Sequence, residues 1–428
     1  MAIPEPAPSQ RICRRHKLPA SLMRAGTSRG LFIHRKYLPA SQDDWKPWIL
    51  AAMGSKNNDA RQIDGVGGAT STTSKVCVVS PSTRPGIDVD YTFIQVAVGK
   101  ESLDFSGNCG NMASGIGPFA VEEGLVKAQP GNPQLDISIY NTNTGKRLIE
   151  TVEIDEEGHY FDEGQYTMPG VKTPGSEVKV AFVDPAGSMS GALFPTGLRE
   201  EQLVVASPRN GVLPFQVSVS LVDAANPFVL VDSLSMPGGL TVGSDTYLDL
   251  VEDIRRAGAV QMGLATDIGS AAQVKGTPKL AFISAAQPST DGHRPTDVFV
   301  AAMSMQKPHP SLQLTGAVCI GAAACMPGTV VSKAAEGSQR LSGLLTPDGS
   351  EGSGAESDDS GKSDLITERN ESGLFGPNKR KIRLAHASGQ IEVEVKLRMG
   401  SEGEMMVESC SVSRTARKIF DGQVLINL

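Results

Sequence analysis

The chain has 428 residues, of which 39% are hydrophobic and 20% charged, and this composition is typical of a folded protein with two domains. Its formal net charge of −7 argues against a nucleic-acid partner. No apolar stretch reaches the roughly 18 residues of a membrane span, so we expect no membrane partner. Its six cysteines form no C-x-x-C pair and lack zinc spacing, which predicts a reducing compartment and no metal.

The first 17 residues lack the apolar core of a secretory signal, so we expect a cytoplasmic protein. Their basic run also resembles part of a mitochondrial transit peptide, which is the less favoured alternative. The many glycines and prolines indicate frequent turns and short strands. Apolar or alternating runs predict strands at 76–79, 92–98, 216–222, 228–231, 280–284, 298–302 and 391–397.

Two runs of small, uncharged residues, 112–126 and 315–326, predict helices without a polar face. We expect each to be a central helix wrapped by a curved sheet, although an ordinary buried helix would have the same pattern. Their separation of about two hundred residues indicates two similar halves. Residues 332–378 are rich in Gly, Ser, Asp and Glu, and we expect a flexible, partly disordered insertion there.

The segment 104–112 places Cys109 between two Gly/Asn pairs, directly before the first of these helices. A thiol at a helix N-terminus lies near unpaired N–H groups and the positive end of the helix dipole. Both lower a thiol pKa and attract carboxylates. Cys109 is therefore a candidate catalytic residue, and a buried structural cysteine is the alternative.

Lys75 ends a glycine- and hydroxyl-rich segment, 64–75. The spacing is not that of a phosphate-binding loop, because Lys75 opens a strand instead of a helix. A lysine at the head of an apolar strand is partly desolvated, which makes it a candidate proton carrier. A structural lysine held in a salt bridge is the alternative.

Two other segments carry polar groups beside glycines. Residues 23–30 combine two arginines, two hydroxyls and two glycines, as in a carboxylate clamp or a surface turn. Residues 383–389 contain His386, which is either a binding residue or a structural histidine. The chain has no G-x-S-x-G, Rossmann or H-E-x-x-H motif, so a cofactor-independent proton shift beside a carboxylate is favoured.

Several motifs together resemble the PrpF family of methylaconitate and aconitate isomerases, which are related to 4-oxalomesaconate tautomerase. The resemblance covers residues 18–428 apart from the insertion. It is carried by RAGTSRG at 24–30, GVGGATSTTSK at 65–75 and SGNCGN at 106–111, and by the segments 184–187, 194–197, 223–227, 314–317, 386–389, 414–418 and 421–422.

This resemblance implies an α/β (α+β) fold of the diaminopimelate-epimerase type. Two similar domains, 18–197 and 198–413, would each form a barrel-like sheet around a central helix, with the active site in the cleft between them. The segment 414–428 would pack back on the first domain. In the epimerases each central helix begins with a catalytic cysteine. Here only Cys109 is kept, because Cys319 lies a turn inside the second helix, and this departure favours a proton shift between two carbons.

The implied activity is a 1,3-allylic proton shift on an unsaturated tricarboxylate, with cis-aconitate to trans-aconitate as the leading reaction. The 2-methylaconitate isomerase, the 4-oxalomesaconate tautomerase and a non-catalytic tricarboxylate-binding homologue remain open. The resemblance implies Lys75 and Cys109 as the acid/base pair and needs no cofactor. Whether the chain forms a homodimer stays open. Substrate contacts are expected from Arg24, Gly26, Thr27, Ser28, Gly67, Ser71, Ser74, Asn108, Gly110, Asn111, Met112, Thr315, Gly316, His386 and Ser388.

Overall fold

A computed structural model describes residues 15–129, 131–207, 212–239, 241–286, 296–304, 306–343 and 378–428. Its strands form one 18-stranded sheet. No helix of the described residues is long and apolar enough to cross a membrane.

The first half of the chain contributes eight strands and three helices. The strands are β1 (Arg15–Ala25), β2 (Ser28–His34), β3 (Lys75–Pro81), β4 (Val89–Val96), β5 (Leu103–Asp104), β6 (Gln134–Asn141), β7 (Lys146–Glu153) and β8 (Val178–Val183). The helices are α1 (Trp45–Met53), α2 (Gly110–Ala113) and α3 (Ile116–Glu122).

The second half contributes nine strands and four helices, and a last strand follows it. The strands are β9 (Glu201–Ser207), β10 (Val212–Ala224), β11 (Asn226–Asp232), β12 (Lys279–Ala285), β13 (Val298–Ser304), β14 (Lys307–Pro308), β15 (Lys379–His386), β16 (Gly389–Met399) and β17 (Met405–Arg414), and the last is β18 (Ala416–Asn427). The helices are α4 (Asp245–Gln261), α5 (Ile268–Gln273), α6 (Leu314–Ala324) and α7 (Val330–Gly343).

The two halves repeat one pattern of strand pairing. Strands β1, β2, β3, β4, β6, β7 and β8 pair successively as antiparallel, parallel, antiparallel, parallel, antiparallel and antiparallel. Strands β10, β11, β12, β13, β15, β16 and β17 pair in the same order. The prediction of two similar halves is therefore confirmed.

Two further pairings join the halves into one sheet. Strand β8 pairs with β17, and the last strand, β18, returns to pair with β1 over the whole length of β1. Strand β18 thus occupies the position beside β1 that β9 occupies beside β10. The C-terminal strand belongs structurally to the first half.

The sheet has a helical layer on each side. Helices α2, α3 and α6 and the inner strand faces share one large core, in which ten of the eleven residues of α6 are buried. Helix α1 covers the outer face of β1–β4 and α4 covers the outer face of β10–β12, each over a smaller core. A central helix without a polar face, as predicted for 315–326, is confirmed with the bounds Leu314–Ala324.

The first central helix is not the single run predicted at 112–126. It is broken after Ala113 and restarts at Ile116. Pro118 explains the break, because it lacks an N–H for the carbonyl of residue 114 and its ring clashes with that carbonyl. In the first turn of a new helix the same proline is tolerated.

The predicted loop at 332–378 is wrong for its first part, because α7 extends to Gly343. Thr329 caps this helix, since its Oγ1 accepts a hydrogen bond from the Ser332 N–H at 3.0 Å. Ser332 and Ser338 are buried and bonded to backbone carbonyls, so their polarity does not expose the segment. Residues 344–377 lie outside the described residues.

Glu150 is fully buried among the apolar side chains around α3. Its Oε2 accepts a hydrogen bond from the Gly117 N–H at 2.7 Å, and its Oε1 has no partner among the described residues. Burial raises the pKa of Glu150 well above its ordinary value, although the Gly117 bond opposes this. Glu150 is therefore protonated in the folded chain over a range of pH in which the unfolded chain releases the proton.

We expect the Glu150→Gln variant to be more stable than the native chain at neutral pH, with an advantage that grows as the pH rises. An unfolded glutamate ionises near pH 4.3, whereas the folded Glu150 stays protonated to higher pH, so native stability falls as pH rises above about 4.3. Glutamine does not titrate. Melting temperatures of both proteins from pH 4 to pH 8 test this, with the exposed Glu156→Gln as control. A difference in melting temperature that does not change with pH would contradict it.

Candidate active site

A cleft between the two halves lies where α2 and α6 begin. Gly110, the first residue of α2, packs directly on the start of α6: a Cβ built on it would lie 2.9 Å from the Cβ of Leu314 and 3.0 Å from the Thr315 nitrogen. The cleft is lined by Ser28, Ser71, Thr72, Lys75, Phe93, Gln95, Asp104, Ser106, Gly107, Asn108, Cys109, Gly110, Asn111, Asn226, Gly276, Lys279, Ser304, His309, Gln313 and Thr315.

Cys109 is the residue immediately before α2, as predicted. Burial raises the pKa of its thiol, but Lys75, Lys279 and a hydrogen bond from the Met112 N–H lower it, and the net effect is a pKa below the ordinary value. Helix α2 has only four residues, so the two lysines are the main source of positive charge at the thiol. A lowered pKa favours the thiolate, which is the form that accepts a proton.

Lys75 is the first residue of β3 and is 8% exposed. Its Nζ donates a hydrogen bond to the Gln95 Oε1 at 2.7 Å and lies 5.1 Å from the centre of the Phe93 ring. Gln95 is held in turn by its Nε2, which donates to the Ser74 carbonyl at 2.9 Å. The lysine is thus fixed beside Cys109 by neutral partners.

Lys279 lines the other side of the cleft, as the first residue of β12. Its Nζ donates a hydrogen bond to the Thr315 Oγ1 at 3.3 Å. Burial lowers the pKa of Lys279 to about 8, an effect that Lys75 increases and that Cys109 and Asp104 oppose. Among the residues that the structure describes, neither Lys75 nor Lys279 forms an ion pair with a carboxylate.

The charge of the cleft favours an anion. Two lysines face one aspartate, Asp104, while burial lowers the pKa of His309 to about 4 and keeps it neutral at pH 7. The Ser106 Oγ and the Gln313 Oε1 are buried without a hydrogen-bond partner in the described part of the chain. Such orphaned atoms at a cleft wall are available to a polar ligand.

Reciprocal hydrogen bonds between Asn108 and Asn226 link the two halves below the cleft. The Asn108 N–H donates to the Asn226 Oδ1 at 3.1 Å, and the Asn226 Nδ2 donates to the Asn108 carbonyl at 2.8 Å. The same Nδ2 also donates to the Thr315 Oγ1 at 3.2 Å, and the Tyr91 hydroxyl donates to the Asn108 Oδ1. All four residues are buried, so this network fixes the position of Cys109 relative to the second half.

Eight of the seventeen residues predicted for the site line the cleft. Lys75 and Cys109 are among them, and the other six are Ser28, Ser71, Asn108, Gly110, Asn111 and Thr315. Residues from four separate segments are thereby brought together.

The other nine do not line the cleft, and their contacts explain why. Arg24 donates to the carbonyls of Gly26 and Thr415, at 3.2 and 2.8 Å, so it binds backbone instead of forming the predicted carboxylate clamp. Thr27 accepts a hydrogen bond from the Asn111 Nδ2 at 2.9 Å, and Ser74 donates to the Gln62 Oε1 at 2.7 Å. Four others pack against neighbouring residues: Gly26 against Asn111, Gly67 against Gln62, Met112 against Gly30 and Gly316 against Phe228. The last two, His386 and Ser388, are hydrogen-bonded to each other.

Sequence reasoning missed Lys279, although the signal was the same as for Lys75. Both lysines are followed by an apolar strand. Gln95, His309 and Gln313 were also missed, because nothing in their local sequence marks them. Among the described residues, no group of three or more His, Cys, Asp or Glu side chains could hold a metal ion.

The chain is similar to known proteins along nearly its whole length. The family model described as "PrpF protein" matches residues 15–360. The chain is 35% identical to "Putative isomerase YraM" of Bacillus subtilis (strain 168), over 95% of this chain and 97% of that protein. It is 33% identical to the "2-methyl-aconitate isomerase" of Cupriavidus necator, over 96% and 97%. A crystal structure of "Methylitaconate-delta-isomerase" superposes with a TM-score of 0.67 at 30% identity, covering 97% of each chain.

The contact of Gly110 with α6 gives a stability prediction. A Cβ at Gly110 would lie 2.8 Å from the Leu314 Cδ2 and 3.0 Å from the Thr315 backbone nitrogen. We expect Gly110→Ala to lose about 1–3 kcal/mol of unfolding free energy in urea, because the two central helices must move apart. Gly337→Ala in α7 is the control, since its Cβ would meet the Ala285 Cβ at an ordinary 3.5 Å. Equal stabilities of the two variants would contradict the prediction.

Proposed function

Because this chain is an isomerase of the PrpF family, we propose that it catalyses a cofactor-independent 1,3-allylic proton shift on an unsaturated tricarboxylate and converts cis-aconitate to trans-aconitate. The observation that supports this most is the position of Cys109 in a cleft with two lysines that have no carboxylate partner among the described residues.

Substrate carboxylates are the natural partners for these lysines. The two ammonium groups share the cleft with one aspartate and a neutral histidine, so a ligand with several negative charges relieves their mutual repulsion. The polar lining adds hydroxyl and amide groups that bind carboxylate oxygens. A neutral substrate would leave both lysines unpaired.

The reaction needs one proton removed and one added. A base takes a proton from the methylene carbon beside one carboxylate, and the electrons delocalise as a dienolate. An acid then protonates the former vinyl carbon, and the double bond moves by one position. Cys109 and Lys75 form the proton-transfer pair, since the positive charge of Lys75 has the largest of the effects that lower the pKa of the Cys109 thiol. The fixed positive charges stabilise the dienolate as it forms.

The lining of the cleft favours cis-aconitate over its methylated analogue. Phe93 is the only hydrophobic side chain among the lining residues of the described structure, and it packs under the Lys75 ammonium group. An extra methyl group contributes about 1–3 kcal/mol of binding free energy only where it packs in an apolar pocket.

A second candidate substrate is 2-methylaconitate. The Cupriavidus necator relative is named for it and matches along nearly the whole chain. The two acids differ by one methyl group and share the same allylic unit. A direct comparison of both substrates is therefore part of the test.

Proton NMR in deuterated water tests the activity. The purified chain, without added metal or cofactor, is incubated with cis-aconitate, 2-methylaconitate or 4-oxalomesaconate. We expect trans-aconitate to form with deuterium on carbon, and kcat/KM to be highest for cis-aconitate. Absence of any isomer and of any deuterium uptake, with binding of the acids retained, would favour a non-catalytic binding protein instead.

The variants Cys109→Ser and Lys75→Met test the proton-transfer pair. We expect kcat to fall by about 100- to 10,000-fold in each, because general acid or base catalysis contributes roughly this much. Cys410→Ser is the matched control, since Cys410 is a buried thiol of β17 outside the cleft lining. Full activity in both Cys109→Ser and Lys75→Met would show that the pair is assigned wrongly.

A further inference from the structure

We propose that Lys279 is a second proton-transfer group of this site. Lys75 and Cys109 take the proton from one end carbon of the allylic unit, and Lys279 protonates the carbon at the other end. This inference rests on the proposed isomerase function.

The strand registers place the two lysines at equivalent positions. Lys75 lies opposite Gly30 on the parallel neighbour β2, and Lys279 lies opposite Phe228 on the parallel neighbour β11. Each lysine is the first residue of its strand, and each strand has the same place in its half. The repeat therefore supplies two amines to one cleft, one from each half.

The cysteine is not repeated in this way. Gln313 is the residue immediately before α6, as Cys109 is before α2, and an amide carries no transferable proton at neutral pH. Cys319, inside α6, is fully buried and outside the cleft lining. The second half thus has no thiol to match Cys109.

The remaining titratable groups at the cleft are poor proton donors. His309 is neutral at pH 7, and its Nδ1 is within 2.6 Å of the Ser311 carbonyl oxygen. Asp104 acts as an acceptor, since its Oδ1 accepts a hydrogen bond from the Ser106 N–H at 2.8 Å. Lys279 is left as the proton donor of the second half.

Within the described part of the chain, Lys279 also has no ion-pair partner. Its Nζ bonds to the Thr315 hydroxyl at 3.3 Å and lies 5.9 Å from the centre of the Phe228 ring. Several other lysines of this chain pair with carboxylates, as Lys418 does with Glu122. A partly buried ammonium with neutral partners at a cleft is instead arranged to meet an anion or to transfer a proton.

The proton balance is closed by solvent exchange. Cys109 or Lys75 gains the proton from the methylene carbon, whose C–H electrons move into the new double bond. The electrons of the old double bond form the new C–H bond with a proton from the Lys279 ammonium. After turnover Lys279 takes a proton from water and the Lys75–Cys109 pair releases one, so the enzyme is restored without oxidant or cofactor.

Four groups set the charge state of Lys279. Lys75 lowers its pKa, and Cys109, Asp104 and Cys319 raise it, while burial has the largest effect and lowers it. At a pKa of about 8 the amine is protonated at pH 7 and can still release its proton. We therefore expect kcat/KM of the native enzyme to fall as pH rises above about 8, because the acid form is then lost.

The variant Lys279→Arg separates proton transfer from charge. Arginine keeps the positive charge that binds a carboxylate, but it does not release a proton in this pH range. We expect kcat to fall at least 100-fold with KM changed less than threefold, and the decline of kcat/KM above pH 8 to disappear. Lys275→Arg is the control, because Lys275 precedes the same strand and bonds to the Gln306 Oε1 at 2.7 Å outside the cleft lining.

Three outcomes would overturn the inference. If Lys279→Arg keeps kcat within threefold, or raises only KM, Lys279 binds a carboxylate and transfers no proton. If the native pH profile is unchanged in the variant, another group is the acid. If the native protein is inactive with every acid tested, the proposed function fails as well. A melting curve of Lys279→Arg like that of the native protein shows that the variant is folded.

Discussion

The hydrogen-bonded pair of Asn108 and Asn226 is the contact on which the site depends. It joins the loop before the first central helix to the first strand residue of β11 in the second half. Because Asn226 also bonds to Thr315, and Thr315 to Lys279, the same contact sets the place of Lys279. The cleft exists because two similar halves are held in this one arrangement.

The arrangement buries positive charge, which has a cost in stability. Lys75 and Lys279 share one cleft, and burial lowers the pKa of Lys279 to about 8. The positive charges of both lysines also stabilise the thiolate of Cys109, because they lower its pKa while burial raises it. In the proposed reaction, the positive groups that repel one another would stabilise a polyanionic substrate and its dienolate. Such conflict between stability and function is expected at an active site.

The sequence predicted those parts of the fold that depend on local pattern. The central helix α6 has no polar face, and β3, which begins at Lys75, is a continuous apolar run. Both could therefore be predicted from a short stretch of sequence. The break at Pro118 was missed because the helical composition continues across it. Helix α7 was missed because its capping residue, Thr329, lies just before a long polar segment that dominated the average composition.

The candidate site was only half predictable for a related reason. Cys109 and Lys75 lie in glycine-rich segments that are recognisable in the sequence. Lys279 and Gln313 belong to the second copy of the pattern, which has fewer glycines and has Gln313 in place of the cysteine. Only the strand registers show that Lys279 is the counterpart of Lys75. Arg24 was predicted as a ligand from its motif, but it donates to the carbonyls of Gly26 and Thr415, and no local pattern reveals the distant Thr415.

The central claim is that two lysines of the cleft act together on the Cys109 thiol. Thiolate absorbance near 240 nm, measured against pH as the difference between the native protein and Cys109→Ser, reports the ionisation of this thiol directly. The account predicts a midpoint below the ordinary range of a free thiol, which is about 8.5, and a higher midpoint in both Lys75→Met and Lys279→Met. A native midpoint at or above the ordinary value, unchanged when either lysine is replaced, would contradict it.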